Sequence, residues 1–300
     1  MCNWIQLIII SSLSFALSDG IYDFVVGKEK KGTLNYVQNL FVSAFICAVT
    51  GNGCLWLIWD ADQDEMSKAL NISILAGIFY FASHLLLLKS FESTPSTVLL
   101  PLLQAGTVFT LFGSIIKSWI TGEAWLENYW HLLSYLLLLI GGLLPATQGN
   151  LLRAFSIKFW KQSNVIYPIF AEIFYSFYDL AISSIEANKE SSFEMQLYMT
   201  AVTRTVFIIC FLIFLPLRKK EMNDVVNLGY SRAFLFSAIS EILTQLAFFV
   251  SAGAFMCYYQ VSLVHAAEGS LIQCFNLIFS FCLKYYFNLG KSNSIQVIFI

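Results

Sequence analysis

Glu172 and Asp179 stand seven positions apart inside one long apolar block. Seven residues are two turns of α-helix, so both carboxylates belong on one helical face. Arg204 lies about seven residues into the next apolar block, roughly 10 Å along a helix axis. A guanidinium cannot shed its proton there and needs a carboxylate or a substrate anion beside it. Glu172 and Asp179 are its first expected partners. Two readings of this group are open. It is a binding or coupling site, or it is an Arg–carboxylate clamp joining two helices, with snorkelling of Arg204 to the interface as a variant.

Other polar residues share the same setting. Glu268 opens a later block, either as a cavity-facing carboxylate that carries a coupling proton or as an acid held by a helix N-terminus. Glu241 and Gln245 are one turn apart and suit a cavity stripe or an interhelical hydrogen bond. Asp19 and Asp23 end the first block, where a cavity role and a solvated interfacial role compete. Gln104, Gln273 and Asn276 are neutral groups fitted to hydrogen-bond a metabolite or to pack helices. Tyr175 and Tyr178 flank the turn of Asp179, as cavity lining or as packing. His84 and His265 have no partner within reach along the sequence and are read as uninvolved.

These residues must be positioned by membrane helices. The apolar sequence falls into about ten blocks of roughly 20 residues, the length that spans a bilayer. Charges collect in the gaps between them. Charged residues make up 12%, hydrophobic residues 58%, and mean hydropathy is +0.70; a soluble domain carries about twice that charged share. The blocks run over residues 4–27, 37–59, 69–88, 95–119, 129–149, 165–185, 197–217, 233–258 and 261–287. The stub Ile295–Ile300 reads as the start of a tenth helix, cut short. The blocks lack the alternation of barrel strands and are too long for them. The expected class is all-α and polytopic.

Several functions are disfavoured. The net charge of −2 argues against a nucleic-acid partner. Met1–Asn3 lacks a basic n-region and no small-residue cleavage site follows the first block, so that block reads as a membrane helix. Seven scattered cysteines without CxxC read as free thiols, not as a metal or redox centre. No cofactor is expected. HExxH, GxSxG and Gly-rich phosphate loops are missing, so an enzyme is not expected. The longest gap, about 15 residues, is short for a receptor or scaffold. GxxxG is also missing, so a homodimer stays open without a glycine seam to support it.

The halves repeat. Five blocks precede the polar gap near residue 158, and four plus the stub follow. An odd number of helices turns the second copy over. The loop after block one is basic (Lys28, Lys30, Lys31), and its counterpart after block six is acidic (Glu186, Glu190 and Glu194 against Lys189). The loop after block two is acidic (Asp60, Asp62, Asp64, Glu65), and its counterpart is basic (Arg218, Lys219, Lys220). Inverted repeats with cytoplasmic basic loops show this opposition. The same rule, with Lys291 after block nine, places the N-terminus outside. Phe79–Tyr80 and Leu102–Gln104 match Phe248–Phe249 and Leu271–Gln273 at equal separation, and Asp19 matches Asp179. Trp56, Trp59, Trp119, Trp125, Trp130 and Trp160 sit near block ends, as interfacial anchors do.

These features resemble the drug/metabolite transporter superfamily, in particular EamA-like transporters. The resemblance rests on Phe79-Tyr80-Phe81-Ala82, Ser93-Thr94-Pro95-Ser96, Leu99-Leu100-Pro101-Leu102 and Gly122-Glu123, with a second copy over Phe248–Lys291. Gly290-Lys291 stands where Gly-Glu is usual. The resemblance implies two inverted five-helix repeats, over 1–150 and 164–300, the last helix incomplete. It implies export or exchange of a small polar metabolite by alternating access through a central cavity. A channel is the nearer alternative. The cavity should be bordered by spans one, three, four, six, eight and nine. Asp19, Gln104, Asp179, Arg204, Glu241, Gln273 and Asn276 are the expected binding residues, and Glu172 and Glu268 the expected coupling residues. The expected partners are a small-molecule substrate and the bilayer of a plasma, inner or organelle membrane.

Overall fold

The structure is a computed structural model. It describes residues 3–26, 34–58, 63–94, 96–103, 106–122, 132–133, 136–137, 140, 147–184, 192–218, 232–257 and 261–287. Gln104, most of the fifth expected span, most of the loop charges, Lys291 and the stub Ile295–Ile300 lie outside the described residues.

Ten α-helices carry the described chain: α1 (Trp4–Val25), α2 (Tyr36–Leu57), α3 (Gln63–Ser93), α4 (Ser96–Leu103), α5 (Gly106–Thr121), α6 (Ile157–Trp160), α7 (Ser163–Ser183), α8 (Ser192–Phe214), α9 (Arg232–Cys257) and α10 (Val261–Phe287). Short 3-10 turns cover Leu151–Phe155 and Leu215–Arg218. No strand occurs among the described residues; Val26 and Leu34 meet in an isolated bridge. The expected fourth span is covered by α4 and α5, with residues 104–105 between them outside the described residues. The third starts six residues earlier than expected, taking Asp64 and Glu65 out of the loop and into the first turn of α3.

The helix starts follow from the sequence. Asn35 caps α2 by accepting from Gln38 N–H at 2.8 Å while Gln38 reaches back to Asn35 N–H at 2.9 Å. The Tyr36 N–H donates to the Glu92 carboxylate at 2.7 Å, tying the start of α2 to the end of α3. These bonds occupy donors that the first turn leaves without intrahelical acceptors.

Among the described residues, six helices are long and apolar enough to cross a membrane: Trp4–Tyr22, Tyr36–Leu57, Ala69–Glu92, Ser163–Ser183, Phe193–Arg218 and Arg232–Phe255. Gly106–Ile120 and Leu263–Phe279 are shorter apolar helices. Only 33–50% of each span's most apolar window is buried inside the protein. The rest is an exposed apolar face, such as Ile9, Leu13 and Leu17 on α1, with Trp56 and Trp119 exposed near helix ends. The interior meanwhile holds Glu172, Arg204, Glu241 and His84. Apolar outside and polar inside is the reverse of a water-soluble domain and fits a membrane-embedded chain.

Helices of one half pack chiefly on helices of the other. α1 lies against α9 and α10, α2 against α8 and α9, α3 against α7 and α8, and α5 against α7 and α10. Exchanging α1, α2, α3 and α4–α5 with α7, α8, α9 and α10 leaves that pattern unchanged. The chemistry of corresponding seams differs. Between α1 and α9, the Ser18 hydroxyl lies 3.0 Å from the Ser240 carbonyl oxygen and the Ser240 hydroxyl donates to the Ser18 carbonyl at 2.9 Å. Between α3 and α7, Phe79 meets Phe174 and Phe177, with ring centroids 6.2 and 5.2 Å apart. Without a hydrophobic drive between helices in lipid, small hydroxyl residues and close packing hold such seams.

Gly77 sets the approach of α3 to α8. A Cβ there would stand 2.7 Å from Val206 Cβ and 3.0 Å from the Thr203 carbonyl oxygen. Gly77→Ala should therefore lower stability by about 1–3 kcal/mol, the usual cost of overpacking. Thermal unfolding of purified protein in detergent reads this; an unchanged midpoint contradicts the close contact.

Candidate functional site

A cavity opens between the two halves. Its walls come from α1 (Phe15, Asp19, Tyr22), α3 (Leu87), α4 (Leu103) and α7 (Glu172, Tyr175, Asp179). α9 adds Thr244, Phe248 and Ser251, and α10 adds His265, Glu268, Gly269 and Ile272. These are the six spans expected to border a central cavity. The space free of atoms is about 760 Å³, including its open mouth. On four helices the lining recurs at helical spacing: 15, 19, 22; 172, 175, 179; 244, 248, 251; and 265, 268, 272. Each set is one stripe of a helix turned inward.

His265 organises one side. Its Nδ1 lies 2.6 Å from Asp179 Oδ2, and its Nε2 lies 3.9 Å from Glu172 Oε2. Glu172 is pressed against the backbone of Gly106, where a Cβ would collide with its carboxylate and lie 3.1 Å from His265 Nε2. The glycine is what admits both side chains. Glu268 takes the Ser11 hydroxyl as a very short hydrogen-bond neighbour and the Ser251 hydroxyl at 3.2 Å. Its backbone carbonyl accepts from Ser12 at 3.1 Å. Asp19 is buried and also lines the cavity.

A second polar cluster sits in a closed seam. Glu241 is fully buried and accepts from the Tyr22 hydroxyl at 2.5 Å, the Ser43 hydroxyl at 2.8 Å and Gln245 Nε2 at 2.5 Å. His84 Nε2 lies 2.9 Å from Ser43 Oγ and 3.3 Å from Glu241. Gln245 Nε2 also donates to the Tyr80 hydroxyl at 2.7 Å. Four helices (α1, α2, α3 and α9) are thereby tied through one carboxylate. Tyr22 links this cluster to the cavity, which it also lines.

The expected site residues separate accordingly. Asp19, Asp179, Glu172 and Glu268 line the cavity. Glu241 does not; it is consumed by its own donors. Gln273 is half-buried and Asn276 is buried, and neither lines the cavity. The Arg204 expectation is corrected. Arg204 is buried, but among the described residues no carboxylate lies within 4 Å of it. Its guanidinium sits 4.3 Å from the Tyr80 ring centroid and 5.6 Å from that of Phe248, with Nη1 3.4 Å from Thr203 Oγ1. The reason is helix placement. α8 packs chiefly on α2 and α3, while Glu172 and Asp179 on α7 turn toward α10 and His265. Aromatic faces stand where an acid was expected.

The two histidines are also corrected. Both have carboxylate partners, His84 in Glu241 and His265 in Asp179, and those partners are 157 and 86 residues away in the chain. Separation of that size hides a pair from any local reading. Ser11, Thr244 and Ser251 were not singled out either, although their hydroxyls on inward helix stripes were the available signal. The described cysteines Cys47, Cys54, Cys210 and Cys274 are free thiols. Comparison with protein-family models and with curated proteins gives no match.

The closed cluster makes a sharp prediction. Glu241→Ala removes the acceptor of three buried donors and should cost about 3 kcal/mol or more. Glu241→Gln keeps an acceptor and should cost less. Detergent unfolding of the two variants tests it; equal midpoints for wild type and Glu241→Ala contradict the network.

Proposed function

We propose that this chain is a secondary transporter of a small polar metabolite, built as two inverted repeats in the manner of EamA-like members of the drug/metabolite transporter superfamily. The observation that carries the reading is the cavity wall. Asp19 and Asp179, matched between the halves in sequence, both line it, as do the matched Leu103 and Ile272. The symmetric packing of the halves supports the same reading. A site shared by two repeats is reached from either side by rocking one half against the other. The polar groups on the wall supply recognition, since at membrane depth they need water, substrate or each other.

On this reading basic loops face the cytoplasm and the N-terminus lies outside. The chain performs no covalent chemistry on its cargo. Phe15, Tyr175 and Phe248 supply apolar contact, and the carboxylates, His265 and Thr244 orient the polar end of the ligand.

Counterflow in proteoliposomes tests this. Purified protein should show saturable uptake that is accelerated by preloaded substrate from a metabolite panel. Asp179→Asn should reduce that uptake about tenfold while still inserting normally, as expected for losing one charge-assisted contact. Uptake that rises linearly without acceleration indicates a channel. Uptake of every panel member unchanged by Asp179→Asn removes the cavity from the account.

A further inference from the structure

We infer that the cavity is a site for a small organic cation, with the Glu172 carboxylate receiving its ammonium group. This rests on the cavity being the substrate site. Asp19, Glu172, Asp179 and Glu268 place four carboxylates on the walls. No lysine or arginine lines the cavity among the described residues, and His265 supplies the basic side chain on its wall. Arg204 is not a wall residue; its guanidinium sits over the Tyr80 ring at 4.3 Å from the centroid.

Glu172 is the second, independent observation. It is 6% exposed and faces the cavity. It accepts no hydrogen bond among the described residues; its polar neighbour is His265 Nε2 at 3.9 Å. Asp179 is engaged at 2.6 Å by His265, and Glu268 by Ser11 and Ser251. Glu172 is therefore a buried carboxylate on the cavity wall with acceptor capacity left over. A buried acceptor without a donor is costly, and a charged donor fits it best.

The remaining wall suits the rest of such a ligand. Tyr175 and Phe248 stack at 5.4 Å between centroids and 20° between planes, and both line the cavity with Glu172. Ring faces attract ammonium groups, and the attraction strengthens where water is excluded. An inorganic ion is a poorer fit. Among the described residues no group of three or more His, Cys, Asp or Glu is arranged to hold a metal ion. The four acids stand on three helices, α1, α7 and α10, and not around one point. A carboxylate ligand would meet like charge and be rejected.

Equilibrium binding to the purified full chain in detergent tests this with ligands matched in shape. Phenethylamine, choline and putrescine are the cationic probes; phenylacetate and 2-phenylethanol are the anionic and neutral counterparts of the first. At least one cation should bind saturably and about tenfold or more tighter than phenylacetate and 2-phenylethanol. Glu172→Gln should weaken that binding about tenfold, and Glu172→Asp should retain most of it. If Glu172→Gln does not purify as a monodisperse protein, the preference of the wild type decides. Binding of none of the three cations, or equal or tighter binding of phenylacetate or 2-phenylethanol, overturns the inference. So does cation binding that is indifferent to Glu172→Gln. Selective cation binding without counterflow would uphold this site and overturn the transporter reading; counterflow of an anion alone would do the reverse.

Discussion

A polar side chain inside an apolar bilayer has no water to fall back on, and that shortage shapes the whole molecule. Each buried acid here is resolved in one of two ways. Glu241 is saturated by donors from its own protein, which closes the seam between α1, α2, α3 and α9. The acids of α7 and α10 are resolved only in part, and the unresolved part faces a cavity. The same requirement explains why hydroxyl residues line α1 where it meets α9 and α10, and why the outward faces keep their isoleucines and leucines.

The two clusters touch at Tyr22. Its hydroxyl donates to Glu241 while its ring borders the cavity. A ligand that displaced Tyr22 would break a 2.5 Å bond to the carboxylate that ties four helices together. Occupancy of the cavity and packing of the halves are in this way joined by one side chain. Arg204 sits over the rings of Tyr80 and Phe248, stabilised by ring faces instead of an opposite charge.

Much of this was legible before the fold was known. Block length and charge placement point to the six long apolar helices and their membrane setting. The inward stripes on α1 and α7 could be read from Asp19 and from the spacing of Glu172 and Asp179. The pairing could not. Arg204 was matched to the nearest buried acids along the chain, but α8 and α7 turn their polar faces toward different neighbours. His84 and His265 were set aside because their partners lie on helices far away in sequence. Glu241 and Gln245 showed a stripe whose destination, seam or cavity, depended on which helix came to rest against it. Sequence periodicity reports the face a residue occupies; packing alone decides what that face meets.

The most direct measurement of the central claim is whether a charged, water-borne reagent reaches the cavity wall. Ile272 lines the cavity on α10. In a background with the seven cysteines replaced, Ile272→Cys in native membrane vesicles can be offered a cationic, an anionic and a lipid-soluble thiol reagent. The account predicts modification by the trimethylammonium methanethiosulfonate, faster than by the sulfonate analogue, because the acidic wall concentrates cations. Modification by the lipid-soluble reagent alone would place Ile272 in a dry seam or in lipid, and would contradict a water-accessible acidic cavity between the two halves.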